Sequence, residues 1–369
     1  MELRRAGLRR TGIRRTGIQR TAASLARRST LPLLLLAFTL ASAGTLHAQS
    51  GTLDIYWIDV EGGGATLVVA PSGESLLFDT GFKRPDDRDA KRIYAVTQAA
   101  GLKKIDYLMI THYHADHVGG LDALAKMIPI ARYFGHGGTI DKENTEWGES
   151  FKRNSEGKRT FLKLGDEIPL KGIKVQAISA NMAYQTELLA SEEPNLLCED
   201  AGHKPPDSLE NQRNVAVLLT YGKFKFLDPG DMPWEREMEL ACPINKLGTV
   251  TLYQTAKHGG WDGGGAPAFL YAIKPQVIVV NNGATKGLGI PRGHGHYERM
   301  TRSPGVEGIW EVHMSPEGPE HNAAENMIAN IDKNPEHAQA SWIKASVSAD
   351  GKITVTNSRN GFGKTYMTH

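Results

Sequence analysis

Short apolar runs recur along this chain, each closed by glycine, proline or a polar turn. Residues 52–60, 65–69 and 75–79 read as three strands, joined by Glu61-Gly62-Gly63-Gly64 and Pro71-Ser72-Gly73 into a meander. Residues 89–100 carry a helical pattern that stops at Gly101. The run Ile105-Asp106-Tyr107-Leu108-Met109-Ile110 predicts a buried strand, residues 121–127 a helix and residues 130–134 another strand. Residues 140–160 are polar and predict a connecting loop. After an alternating strand at 173–178, residues 181–210 show no clear period and contain Pro194, Pro205 and Pro206. A loop that long inside a compact domain usually serves function, often as a lid.

The second half repeats the plan. Residues 214–220 and 224–228 predict a hairpin, 233–241 and 266–273 helices, and 250–256 and 276–280 strands. The tail, 341–357, predicts a hairpin around Asp350-Gly351. Two β-rich halves, each followed by helices, predict two sheets packed between helix layers. Polar residues gather at or just past the strand ends near 79, 111, 231, 257 and 281.

Composition adds an N-terminal segment of a different kind. Residues 1–48 hold nine of the 43 Lys and Arg but one of the 41 Asp and Glu; within them the arginines are followed by the apolar run 31–40 and then small residues. A basic stretch, a short apolar stretch and a small-residue end predict a secretory signal, cleaved after Ala43 or Ala48, the latter preferred because the strand pattern starts at Leu53. Its alternative, an uncleaved anchor, is short of the roughly 20 residues that span a bilayer. The formal charge passes from +2 for the whole chain to −6 for the remainder. Bulk charge therefore gives no sign of nucleic-acid binding, and no membrane contact is expected after cleavage. Cys198 and Cys242 are compatible with either a disulfide or two buried thiols.

The chemistry centres on Thr111-His112-Tyr113-His114-Ala115-Asp116-His117, directly after a strand. Zinc takes imidazole nitrogen and carboxylate oxygen, and a catalytic site keeps one position open. His112 and His114 stand two apart at a strand end and project to one side. Asp116 and His117, on the turn, reach a second metal. Asp231 is placed to bridge the two ions, and His258 to complete the second. Two such ions roughly 3.5–4 Å apart would activate a water and clamp the oxygens of an ester or phosphate. His136 and His203 read as loop residues, and His294, His296 and His313 as late, polar-context histidines.

The His-x-His-x-Asp-His pattern after an apolar strand resembles the metallo-β-lactamase superfamily. Phe78-Asp79-Thr80-Gly81 is similar to its first conserved aspartate segment. Asp59-Val60-Glu61-Gly62-Gly63-Gly64-Ala65, the stretch Glu210–Leu218 and Pro229-Gly230-Asp231 resemble the branch found in competence-type DNA-uptake channel proteins. The tail from Asn357 to Phe362 resembles exported members.

The resemblance implies an αββα sandwich of two mixed sheets, spanning residues 49–310, with 311–369 as an extension packed on the same domain. It implies a hydrolase with two zinc ions, manganese or iron being alternatives, using a metal-bound hydroxide on a phosphodiester or other small ester-like substrate. Asp116 would also orient the water, and Asp79 would hold a ligand histidine in its tautomer. Two departures stand out. No third histidine pairs with His112 and His114, which leaves Asn211, Asn214, His203 or water for that position. Lys257 also stands where the branch tends to have a first His of His-His-Gly. A lactonase or β-lactamase-like hydrolase, and a non-catalytic metal or ligand-binding module, are the alternative readings.

Overall fold

The apolar runs pair into two nine-stranded sheets. The computed structural model describes residues 51–138, 141–189, 194–199, 202–260, 263–289, 294–332 and 339–368; the expected signal, residues 1–48, lies outside them. The first sheet starts as the meander β1 (Leu53–Ile58), β2 (Thr66–Val69) and β3 (Ser75–Phe78). It continues in parallel through β4 (Ile105–Met109), β5 (Ile130–His136) and β6 (Arg159–Leu162).

The second sheet takes β7 (Glu167–Ile168), β8 (Lys174–Ala180), β9 (Ala183–Tyr184), β10 (Ala216–Tyr221), β11 (Phe224–Asp228), β12 (Leu252–Gln254), β13 (Val277–Val280), β14 (Gly308–His313) and β15 (Ile328–Asn330). Strands β11 to β15 run parallel, whereas β8, β10 and β11 are antiparallel. The chain then returns to the first sheet as β16 (Trp342–Val347), β17 (Lys352–Asn357) and β18 (Gly363–Met367), with β16 antiparallel to β1.

Three apolar clusters define the layers. The middle one joins the inner faces of both sheets, with Trp57, Phe78 and Val355 from one and Val217, Phe226 and Trp310 from the other. Gln254 ties them across this core: its Oε1 accepts from Trp57 Nε1 at 2.8 Å and Thr66 Oγ1 at 2.6 Å. On the first sheet's outer face lie α1 (Arg88–Ala99), α3 (Leu121–Met127) and α4 (Thr145–Asn154), through Ile93, Leu124 and Phe151. On the second sheet's outer face lie α6 (Trp234–Ala241), α7 (Pro267–Ile273) and α8 (His294–Arg302), through Leu240, Phe269 and Met300. The expected helix–sheet–sheet–helix sandwich of mixed sheets is the observed one.

Two expectations change and one open alternative is decided. Residues 140–160 are not a plain loop but contain α4 and the start of β6. Only Trp147 and Phe151 mark the helix as apolar, and fully buried Phe151 stacks on Tyr113 at 5.2 Å. The boundary drawn at 310/311 falls inside β14, and the tail supplies strands to both sheets rather than a hairpin alone. Cys198 and Cys242 are joined in a disulfide, with Cα atoms 5.8 Å apart.

Glu311 on β14 gives a pH prediction. It is fully buried; one oxygen accepts from Ala323 N at 2.6 Å and the other has no partner. Burial pushes its pKa from 4.5 up to about 8. Between those values the unfolded chain has lost a proton that the folded chain keeps. Stability therefore falls as pH rises through that window, by up to about 1.4 kcal/mol per unit. Glu311→Gln mimics the protonated side chain. Urea unfolding should show wild type and variant alike at pH 4 and the variant more stable by roughly 2–4 kcal/mol at pH 8.

Candidate metal centre

The centre forms where strands from both sheets end, the usual position for sites in open α/β sheets. Asp79 follows β3 in a left-handed conformation (φ 60°). That turn aims its carboxylate at the loop after β4. Oδ1 accepts from Thr111 N and Oδ2 from Thr111 Oγ1, both at 2.8 Å. Oδ2 also lies 2.6 Å from His117 Nδ1. A proton on that Nδ1 leaves Nε2 with a free lone pair facing the centre. Gly64 packs against this pair; a Cβ there would sit 2.6 Å from Asp79 Oδ2 and 2.9 Å from His117 Nδ1.

The short helix α2 (Ala115–Val118) places Asp116 and His117 on the turn. Asp231 arrives just past β11, its N–H donating to Asn214 Oδ1 at 3.0 Å. His258 arrives past β12 on two successive left-handed residues, Lys257 (φ 52°) and His258 (φ 59°). Such conformations cost of order 1–3 kcal/mol each and gather at functional sites.

The six residues expected as metal ligands form two groups that share Asp231. Asp116, His117, Asp231 and His258 make one; His112, His114 and Asp231 make the other, and within each group the candidate ligand atoms lie within 4.8 Å of one another. Asp231 Oδ1 is 3.4 Å from His117 Nε2 and 3.2 Å from His258 Nε2. Its Oδ2 faces His112 Nε2 at 4.0 Å, and that nitrogen is 2.8 Å from His114 Nδ1. One carboxylate thus turns one oxygen to each group.

The residues fit metal ions. His117 Nε2 and Asp231 Oδ1 are buried without a hydrogen-bond partner, and such orphans are rare in native interiors. The electrostatics agree. Burial disfavours the charge on Asp116 and Asp231, yet both pKa values lie well below normal. For Asp116 the Lys286 ammonium leads the opposing effects, and for Asp231 it is His258. His117 runs the other way: Asp116, Asp79 and Asp231 outweigh its burial and raise it well above its ordinary value, so a metal ion would have to displace a proton from it. His112 is lowered by burial and its neighbouring histidines, which keeps it neutral as a ligand must be.

The three protein candidates for the missing histidine separate clearly. Asn214 is committed to backbone: it donates to Pro229 O at 2.7 Å and accepts from Asp231 N. His203 is exposed. Asn211 lines the same cavity as His114, donates to Asp207 Oδ1 at 3.1 Å, and keeps a buried Oδ1 without a partner.

Other residues carry roles that the sequence pattern did not show. His136 is fully buried, not a solvated loop residue, with Nε2 2.7 Å from Glu210 Oε1. The same oxygen accepts from Tyr113 N at 2.7 Å, so Glu210, on α5 (Leu209–Arg213), braces the loop between His112 and His114. Asp59, Glu61 and His313 form a third cluster of buried ligand-type side chains. Arg92 Nη1, 3.4 Å from Asp59 Oδ2 and 3.2 Å from Glu61 Oε1, supplies its cation. His296 is buried, with no hydrogen-bond partner on either ring nitrogen.

Both groups open on a cavity of about 750 Å³. One wall is the stretch Lys204–Ser208 from the loop expected as a lid; another carries Lys257 and Lys286.

Residues 59–182 match the family model described as the metallo-beta-lactamase superfamily, a span that includes Asp79 and the whole His112–His117 cluster. Over that span the chain is similar to the metallo-β-lactamase superfamily. Among curated proteins, Recombination protein 2 of Haemophilus influenzae is 24% identical over 276 residues, covering 74% of this chain and 29% of that protein. ComE operon protein 3 of Bacillus subtilis is 20% identical over 249 residues, 64% of this chain and 29% of that protein. The chain therefore spans under a third of the length of these relatives. Among solved structures, a metallo-beta-lactamase fold protein from Bacillus subtilis is 10% identical with a TM-score of 0.42, covering 70% of this chain and 95% of that one. Asp231 and His258 lie beyond the span matched by the superfamily model and join the centre through the second sheet. No helix among the described residues is long and apolar enough to cross a membrane.

Proposed function

We propose that this protein is a member of the metallo-β-lactamase superfamily and an exported, zinc-dependent hydrolase of phosphodiesters or related ester-like compounds. The observation that carries the reading is the Asp231 carboxylate, one oxygen turned to each group of histidines, at the floor of an open cavity. His112, His114 and Asp231 would hold one ion, and Asp116, His117, Asp231 and His258 the other. Zinc bound there supplies Lewis acidity, lowering the pKa of a water and polarising the ester oxygen. Asp116 lines the cavity and orients the attacking water. Asp79 accepts a hydrogen bond from His117 Nδ1–H and keeps that ring aimed inward. Lysines on the cavity wall favour an anionic ester over a neutral one.

The test is the zinc-loaded protein against bis(p-nitrophenyl) phosphate, a lactone and a β-lactam. The expected result is two zinc equivalents with turnover of the phosphodiester. Turnover of the lactone or lactam alone would transfer the reading to those substrates. Turnover of none, with zinc fully loaded, would leave a binding module.

A further inference from the structure

Lys286 stands out among the cavity's cations. Its ammonium is paired with Asp116 Oδ2, an oxygen also 3.4 Å from His117 Nε2 and 3.2 Å from His258 Nε2. A lysine cation therefore touches the carboxylate of the group that fits a metal. The side chain is held in place from two sides. Its ammonium lies 4.9 Å from the centroid of the Phe82 ring, a cation–π contact. Its stem fills the notch left by Gly62, where a Cβ would come within 2.7 Å of Lys286 Cβ. It remains 40% exposed, toward the cavity.

Lys257 is committed differently. Its ammonium pairs with Asp207, which also accepts from Ser208 N at 2.7 Å and Asn211 Nδ2 at 3.1 Å. That pair ties the Lys204–Ser208 wall to the centre and involves no candidate metal ligand.

We propose that Lys286 is the anion-binding residue of the substrate cavity, masked by Asp116 until a metal ion takes that carboxylate. The inference rests on the metal-hydrolase reading of the centre and names the recognised chemistry as a phosphoryl or similar oxyanion. When Asp116 turns to a divalent ion, Lys286 loses its counter-ion. Phe82 and Gly62 keep the ammonium beside the centre, where a charge-assisted hydrogen bond to a substrate oxyanion replaces the lost pair. Metal binding and anion binding are thereby coupled with one sign: metal frees the lysine, and the anion on the lysine favours the metal-bound form.

Calorimetric titrations of the full chain test this, with zinc into the metal-free protein and inorganic phosphate into the zinc-loaded protein. Lys286→Gln should bind zinc several-fold more tightly, because a competing cation is gone, and phosphate about tenfold more weakly. Lys286→Arg should restore phosphate binding. A residue needed only for packing would weaken both ligands together, so loss of both overturns the proposal, as does unchanged phosphate affinity in Lys286→Gln. Zinc-loaded wild type that binds phosphate but cleaves no ester refutes the hydrolase reading and leaves Lys286 standing. Zinc-loaded wild type that binds no phosphate overturns Lys286 whatever its turnover.

Discussion

Asp231→Ala should empty both halves of the metal centre at once. Its carboxylate is the one side chain common to the two ligand groups. Every other candidate ligand serves one group, so His114→Ala or His258→Ala should weaken one ion and spare the other. Asp231→Ala should lower bound zinc from two equivalents to below one. It should also reduce kcat/KM by about 10³-fold or more, the several kcal/mol that metal activation supplies. The fold should survive. The backbone N–H of residue 231 still donates to Asn214, and Gly230 N still donates to Asp228 Oδ1 at 3.0 Å. Metal analysis alongside circular dichroism separates site loss from unfolding; a folded variant that keeps two zinc ions would refute the shared-ligand geometry.

Asp79→Asn should be the second most damaging change, although Asp79 belongs to neither ligand group. The Asn side-chain oxygen can still accept from Thr111 N. Its NH₂, however, replaces Oδ2, which now receives Thr111 Oγ1 and faces His117 Nδ1 at 2.6 Å. A donor there drives the His117 proton to Nε2, the nitrogen that faces Asp116 and Asp231. The ligand lone pair is then lost without any change of volume. Zinc affinity at the His117 side should fall 10–100-fold, the usual cost of losing such a supporting hydrogen bond. Zinc competition titrations check it, and wild-type affinity in Asp79→Asn would show that the tautomer is fixed by something else.

The parts legible in the sequence were the local ones. His112, His114, Asp116 and His117 lie within six residues, so a strand end alone brings them together. Asp231 and His258 were readable because each follows an apolar run, and the parallel neighbours β11 and β12 end on one edge. Glu210 and His136 were hidden, since a histidine among glycines gives no sign that a carboxylate 74 positions away will cover it. Helix α4 escaped because two aromatic residues carry its buried face. Lys286 follows no apolar pattern; its place depends on Gly62 and Phe82, which come from the other half of the chain. The replacement for the third histidine was open among Asn211, Asn214, His203 and water. Hydrogen bonding removes Asn214 and exposure removes His203, and neither property is written in spacing.

The most direct measurement is anomalous diffraction at the zinc edge from zinc-loaded crystals. The shared-carboxylate centre predicts two peaks on opposite sides of the Asp231 carboxylate, one within bonding distance of His112 and His114, the other of Asp116, His117 and His258. A single peak, or peaks that Asp231 does not touch, would contradict it.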